Sequence, residues 1–371
     1  MPTLLKRIVA SILGLLFLTP PAFGWSHKEH VLFTHMAISR LLEDPSTPAG
    51  MRNWLREAAG ELPEMAGYED YFLHKKVGID PLDDGFDNIA HWAFMPDVHA
   101  LNDPATRKVA AFNAHEKLMH YIDLELFITG DTPRAYKHDL SNKPRLSDFP
   151  RTTTDARYIQ AGFLPFRIEQ CYNELVKCIR ANRMHAASLE RQENKTATFW
   201  AGYLAHYLGD NTQPQHATMD YKSATYFSVK SRAPNVHAEM EYRMCDDEMQ
   251  EFPELRREFW PLYVQQLKTF ADPVAEHDVW KASLEVSLAS YDALPLIGMA
   301  AMKAAKQAGT PEKPTGPFEN ELDTDVFFHF KGQYMGREMS VMEMKAIQNA
   351  WAVKRIQTTL RQAWDEAMKA Q

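Results

Sequence analysis

Apolar residues recur at steps of three and four positions over much of the chain. This spacing covers residues 31–42, 110–126, 163–183, 189–208 and 339–368, and it places apolar side chains on one face of an α-helix. No stretch alternates apolar and polar residues over the length of a strand, and no hairpin signal separates alternating runs. The pattern therefore predicts an all-α protein, with a single multi-helix domain over residues 25–371.

The first 24 residues have the pattern of a cleaved secretory signal. Lys6 and Arg7 precede a short apolar run, and Ala22 and Gly24 place small side chains where a signal peptidase requires them. The run is too short for a membrane span, which needs about 20 residues. We therefore predict a signal peptide at residues 1–24 and a secreted or periplasmic mature protein without a transmembrane anchor, beginning at Trp25.

Charge and cysteine content exclude two broad classes of protein. The net charge of −8 argues against general nucleic-acid affinity, which Lys and Arg provide by neutralising phosphates, although a local basic groove stays possible. Three cysteines are too few for a disulfide scaffold. Cys171 and Cys178 lie about 10.5 Å apart along a predicted helix, too far for a disulfide. Cys245 could pair with either of them, or all three could be free.

Five potential metal ligands lie between residues 206 and 241: His206, Asp210, His216, His237 and Glu241. Two of the spacings are i,i+4, which places both side chains on the same face of a helix. Imidazole and carboxylate ligands without thiolates are typical of hydrolytic zinc sites. Zinc lowers the pKa of bound water, so that a nucleophile is available at neutral pH. This segment therefore predicts a hydrolytic metal site.

Residues 206–216, HYLGDNTQPQH, resemble the ligand motif of the zinc-dependent phospholipase C and single-strand-specific (P-one type) nuclease superfamily. That motif has His, three residues, Asp, five residues and His. The family continues with a His and, four positions later, a Glu or Asp, which His237 and Glu241 match. The resemblance implies an all-α fold, three zinc ions and hydrolysis of phosphate esters.

The resemblance also implies ligands near the start of the mature chain. In the family the N-terminal residue is a Trp whose amine and carbonyl oxygen bind one zinc, and Trp25 matches it. A His at the head of the first helix follows, and His30 matches that position, with His27 and His35 as competitors.

Two more ligands follow from the resemblance. The family has a His followed by an aromatic residue, which His91 matches within residues 88–97, and an Asp on a preceding segment, which Asp70 matches. The step from Asp70 to His91 is longer than in the family, and three residues remain alternatives to Asp70: Asp80, Asp84 and Asp87.

A second pair of histidines has the wrong spacing for a zinc motif. His115 and His120 are five positions apart, whereas the His-Glu-x-x-His motif requires four. We therefore predict that both lie on the surface of a helix.

Carried over residue by residue, the resemblance implies the following arrangement of three zinc ions. The first is bound by Asp70, His91, His206 and Asp210; the second by His216, His237 and Glu241; the third by Trp25 and His30, with Asp210 as the bridge. A metal-activated water would attack phosphorus, and Asp70 would orient or deprotonate that water.

The function predicted from these observations is a secreted zinc-dependent phosphodiesterase of phospholipase C type, acting on phospholipid at a membrane surface. Glu241 and the position of Ala37 and Ile38 relative to His30 favour this branch of the family. The Trp25–His30 spacing and the step from His216 to His237 favour the alternative, a P-one-type nuclease or 3'-nucleotidase acting on single-stranded nucleic acid. A non-catalytic zinc-binding exported protein is a lesser alternative.

The signal-peptide assignment predicts how the exported protein is processed. Mass spectrometry of the mature protein should give Trp25 as the N-terminal residue. One extra residue ahead of Trp25 should sharply reduce activity, because it moves the free amine away from the third zinc. A mature N-terminus at any other position would contradict this assignment.

Overall fold

The computed structural model of the protein describes residues 25–59, 65–74, 88–102, 108–128, 138–185, 195–228, 230, 233–245, 252–305 and 322–369. The predicted signal peptide at residues 1–24 lies outside the described residues, as do Asp80, Asp84 and Asp87. The described part is predominantly helical, which confirms the all-α prediction.

Thirteen α-helical segments are present in the described residues. In chain order, α1 to α13 are His27–Glu43, Ala49–Ala58, Met65–His74, Ile89–Asn102, Tyr158–Ala161, Leu164–Arg180, Ala197–Asn211, Val236–Ala238, Pro253–Thr269, Val279–Tyr291, Leu294–Ala304, Thr324–His329 and Val341–Met368. Helix α8 continues into a π-helical turn, Glu239–Arg243.

Side chains that cap the first turn fix the starts of the principal helices. Ser26 and Glu29 form a reciprocal capping box at α1, and Ser340 and Glu343 form another at α13. At α7 the Thr196 side chain accepts a hydrogen bond from the backbone N–H of Phe199. Each cap satisfies N–H groups that have no partner within the helix.

Helix α7 is the central element of the core. All of its residues except Phe199 are buried, and it packs against α1, α4, α6, α10 and α13. A helix that is apolar on every side must be surrounded by other elements. Any polar residue on α7 is therefore carried into the interior, and this determines where His206 and Asp210 lie.

One of the predicted helices is not observed. Residues 110–126 do not form a helix: the segment contains the strand Ala114–His115 and two 3₁₀ turns, Glu116–Met119 and Leu124–Phe127. The strand pairs with Lys108–Val109 as β2 with β1, and a second hairpin joins β3 (Lys331–Tyr334) to β4 (Arg337–Ser340). The apolar residues of this segment have helical spacing, but they pack into the core from an irregular backbone. Tertiary burial overrides the local helical preference here.

The three cysteines are buried and free, so the alternative without disulfides is the one observed. No helix in the described residues has both the length and the apolar character needed to cross a membrane.

The close approach of α4 and α7 depends on Gly202. A Cβ at this position would lie 2.3 Å from Cβ of Trp92 and 2.5 Å from the carbonyl oxygen of Ile89. The variant Gly202→Ala should therefore lower the free energy of unfolding by about 1–3 kcal/mol, as overpacking usually does. Urea denaturation measures this loss.

Gly50→Ala on α2 is a suitable control, because the added Cβ meets only the ring edge of Trp364, at 3.1 Å. Equal stability of Gly202→Ala and the unmodified protein would show that the helix spacing does not depend on this glycine.

Candidate metal centre

Three histidines from separate parts of the chain converge on the carboxylate of Asp210. His30 Nε2 on α1 lies 3.3 Å from Oδ1, while His120 Nδ1 and His206 Nε2 lie 2.9 Å and 3.2 Å from Oδ2. The His30 and His206 rings stack with their centroids 4.0 Å apart. An added Cβ on Gly209 would lie 3.0 Å from His30 Nδ1, so the absence of a side chain there lets the His30 ring lie against α7.

Asp97 on α4 adds a second carboxylate to this cluster. Its Oδ1 lies 3.6 Å from His206 Nε2 and 3.7 Å from His120 Nδ1, and its Oδ2 lies 3.5 Å from His27 Nε2. The result is two overlapping sets of side chains whose nitrogen and oxygen atoms lie close enough together to bind a metal ion, which we call donor sets. One comprises His30, His206 and Asp210, and the other comprises Asp97, His120 and His206. All five side chains are almost completely buried.

A third set of close donor atoms comprises His216, His237 and Glu241. Glu241 Oε1 lies 2.5 Å from His237 Nε2 and 3.5 Å from His216 Nε2. The π-helical turn that carries Glu241 is a rare conformation, found often at functional sites. Gln213 donates a hydrogen bond to the same Oε1 at 3.3 Å and so helps to orient the carboxylate.

The backbone joins the third set to the first two. The carbonyl oxygen of His120 accepts a hydrogen bond from His216 Nδ1 at 2.6 Å, and Ile122 N–H donates to the carbonyl oxygen of His216 at 2.9 Å. His120 therefore contributes its ring to one set while its backbone orients a ligand of the next. The three sets form one continuous cluster, which we call the His/Asp/Glu centre.

The hydrogen bonds to backbone carbonyls fix the tautomers of two histidines. His206 Nδ1 lies 2.8 Å from the carbonyl oxygen of Ala93, and a carbonyl only accepts, so Nδ1 carries the hydrogen. His216 is fixed in the same way by the carbonyl of His120. Nε2 of both rings then faces carboxylate oxygens, where it can carry a proton or bind a metal ion. Such bonding is also how proteins orient metal-binding histidines.

Burial and mutual charge strongly perturb the acidities in the centre when no metal is bound. Burial would lower the pKa of His206, but Asp210 and Asp97 outweigh it and raise the pKa to about 9. Burial raises the pKa of Asp97, and raises the pKa of Glu241 well above its usual value. Burial also lowers the pKa of His30 to about 3. Without a metal, protons compensate the buried carboxylates, and a metal ion would release those protons on binding.

Several buried nitrogen and oxygen atoms of the centre's side chains have no hydrogen-bond partner in the described residues. They include Oδ1 and Oδ2 of Asp97, Nδ1 of His30 and Nε2 of His120. Unpaired buried polar atoms are costly, and native proteins leave few of them. Nitrogen and oxygen donors that converge without thiolates suit zinc or another borderline divalent metal ion. The residues present therefore fit a metal centre.

Trp25 lies at the end of α7 beside this centre. It is fully buried, and its indole N–H donates to the carbonyl oxygen of Gly209 at 3.0 Å. The Lys345 ammonium group lies 4.6 Å from the centroid of its ring and 2.9 Å from Glu29 Oε1. Lys345 also donates to the carbonyl oxygen of Met240, next to Glu241. This buried ion pair joins α1, α13 and the π-helical turn.

Seven of the nine ligands expected from the sequence lie in or beside this centre: Trp25, His30, His206, Asp210, His216, His237 and Glu241. Asp70 and His91 are not among its donor sets in the described residues. Asp70 is exposed on α3, whereas His91 is buried on α4. On α4, Ala93 and Asp97 share the face toward His206, and His91 lies about 200° around the helix from Ala93.

Asp97 and His120 occupy the positions expected for Asp70 and His91, and sequence reasoning missed both. The prediction that His115 and His120 lie on the surface of a helix is wrong, since His115 lies in β2 and the His120 side chain is 1% exposed. One signal could have identified it: Tyr121 follows His120, the same His–aromatic order that led to His91. His27 and His35, the competitors of His30, are outside the donor sets, although His27 contacts Asp97.

Comparisons of the chain with protein-family models, curated proteins and solved structures found no match.

The geometry predicts which substitutions remove a bound metal ion. Asp97→Asn and His120→Asn should each lose about one metal ion per chain, because each removes a donor from a buried set. Asp70→Asn and His91→Asn are the matched controls and should retain the metal content of the unmodified protein. Elemental analysis of the folded protein, after removal of weakly bound metal, measures the stoichiometry. Loss of metal in the Asp70 variant alone would contradict this assignment.

Proposed function

We propose that this protein is an exported, zinc-dependent phosphodiesterase of phospholipase C type. The observation that carries the proposal is the His/Asp/Glu centre, in which histidines and carboxylates converge with unpaired donor atoms inside a helical core. The resemblance of residues 206–216 to the phospholipase C and P-one nuclease superfamily supports the same class of reaction. The fold of that superfamily and the signal peptide at residues 1–24 are part of the proposal.

Three zinc ions are proposed, held by groups of ligands drawn from the three donor sets and from Trp25. His216, His237 and Glu241 would hold one ion, Asp97, His120, His206 and Asp210 another, and His30, Asp210 and the Trp25 amine the third. The second and third of these ligand groups would share Asp210, whose oxygens face different histidines. Bound zinc would supply an acidified water and polarise the phosphate oxygens.

The chain itself would orient the reacting groups. We assign to Asp97 the role that the sequence suggested for Asp70, because Asp97 has two oxygens without hydrogen-bond partners next to the donor sets, and Asp70 is exposed. His27 contacts Asp97, and its side chain is 29% exposed, so it lies where the buried cluster meets solvent. Substrate and protons would reach the centre on that side.

Nuclease or 3'-nucleotidase activity is the second candidate, favoured by one observation. The Tyr221 ring lies 5.6 Å from the His237 ring and is partly exposed beside the third donor set. Stacking of a base on an aromatic ring is the usual way that proteins bind single-stranded nucleic acid.

A parallel assay tests the proposal. The zinc-loaded mature protein should hydrolyse bis(p-nitrophenyl) phosphate and short-chain phosphatidylcholine. Chelation should abolish the activity, and added zinc should restore it, because the attacking water would be acidified by bound zinc. Single-stranded DNA and RNA are assayed alongside, and cleavage of these alone would select the nuclease candidate. If none of these esters is cleaved, the protein is not a phosphodiesterase, and non-catalytic zinc binding becomes the better account.

A further inference from the structure

The loop that follows His216 is held rigidly next to the His/Asp/Glu centre. Glu125 is buried, and it accepts hydrogen bonds from the Thr218 hydroxyl, from the backbone N–H of Met219 at 3.1 Å and from the Tyr291 hydroxyl at 3.1 Å. A carboxylate with three donors fixes the first part of the loop, because separating it from them would leave it buried and unpaired.

Asp220 fixes the second part of the loop. Its carboxylate accepts hydrogen bonds from the backbone N–H groups of Ala224 and Thr225, at 2.7 Å and 3.1 Å, and from the Thr225 hydroxyl at 2.6 Å. Its backbone carbonyl accepts from Ser223, which adopts a left-handed conformation with φ of 52°. The loop therefore presents Tyr221 and Lys222, which lie between these anchors, in a defined orientation.

One tyrosine and two lysines lie near the His/Asp/Glu centre. The ring of Tyr221 packs against that of His237, and the Lys222 ammonium lies 5.8 Å from the centroid of the Tyr221 ring. Lys117 is exposed on the 3₁₀ turn Glu116–Met119, just before His120. Lys222 therefore lies beside the third donor set, and Lys117 lies on the turn that leads to His120 of the second set.

Neither Lys117 nor Lys222 forms an ion pair within the part of the chain that the structure describes. The nearest fixed carboxylate on the loop, Asp220, uses its oxygens to bind the loop backbone and Thr225. Two positive charges beside a metal centre, without carboxylate partners, raise the local concentration of anions.

We propose that Tyr221, Lys222 and Lys117 form a subsite for a second anionic group of the substrate, adjacent to the phosphate ester bound at the metals. The inference rests on the proposed function and narrows it. The preferred substrates carry two negative groups a short distance apart, and a phosphodiester between neutral substituents is a poorer ligand. A phosphorylated lipid headgroup and a nucleotide chain both offer a second phosphate, so the shared chemistry is a bisphosphate.

The test measures binding and does not depend on turnover. Isothermal titration of the zinc-loaded mature protein compares thymidine 3',5'-bisphosphate with thymidine 5'-monophosphate, and inositol 1,4-bisphosphate with inositol 1-phosphate. In at least one pair the bisphosphate should bind about tenfold more tightly, as two partly solvated charge contacts allow. The pair that shows the preference identifies the source of the second phosphate.

The double variant Lys117→Gln/Lys222→Gln should lose this preference and keep its affinity for the monophosphate. Lys268→Gln/Lys281→Gln removes the same charge from exposed positions on α9 and α10, and it should keep the preference. The variant Lys117→Arg/Lys222→Arg conserves both charges and should keep the preference for the bisphosphate.

Equal binding within both pairs, or a preference that persists in the glutamine variant, would overturn the subsite. If the bisphosphate preference is observed but no phosphodiester is hydrolysed, the proposed function is wrong and the proposed subsite still holds.

Discussion

The buried carboxylate of Asp210 is the interaction around which the other parts of the site are arranged. It lies on a buried helix and is itself fully buried, and histidines from three segments surround its two oxygens. Although burial disfavours its charge, His206 and hydrogen bonds from His120 and other histidines hold the pKa of Asp210 well below its usual value. A charge of this kind persists in a core only when other groups compensate it.

Local periodicity was enough to predict part of this arrangement. The spacing of His206 and Asp210, and that of His237 and Glu241, places each pair on one face of a helical turn, and both pairs contact each other as expected. Apolar spacing also indicated the central helix and the long C-terminal helix, because both are dominated by contacts that repeat every turn. These features depend on residues that are close in sequence.

The remaining ligands could not be obtained in this way, because they depend on how distant segments pack. Asp97 reaches the cluster through the face that α4 presents to α7, and that face is set by the close approach at Gly202. His120 belongs to an irregular segment whose apolar spacing imitates a helix. From the sequence alone, the buried Lys345 in α13 likewise could not be distinguished from a solvent-exposed lysine, because its partner Glu29 lies 316 positions earlier.

The ion pair between Glu29 and Lys345 has a consequence for the order in which the molecule is made. Ligands from α1, α4, α7 and the π-helical turn are all synthesised before α13, the last described helix. Until α13 packs, Glu29 lacks the Lys345 ammonium group and the carbonyl of Met240 lacks its donor, so the π-helical turn that carries Glu241 has lost one of its attachments. The His/Asp/Glu centre therefore reaches its final geometry only after the last described helix has been made and has packed.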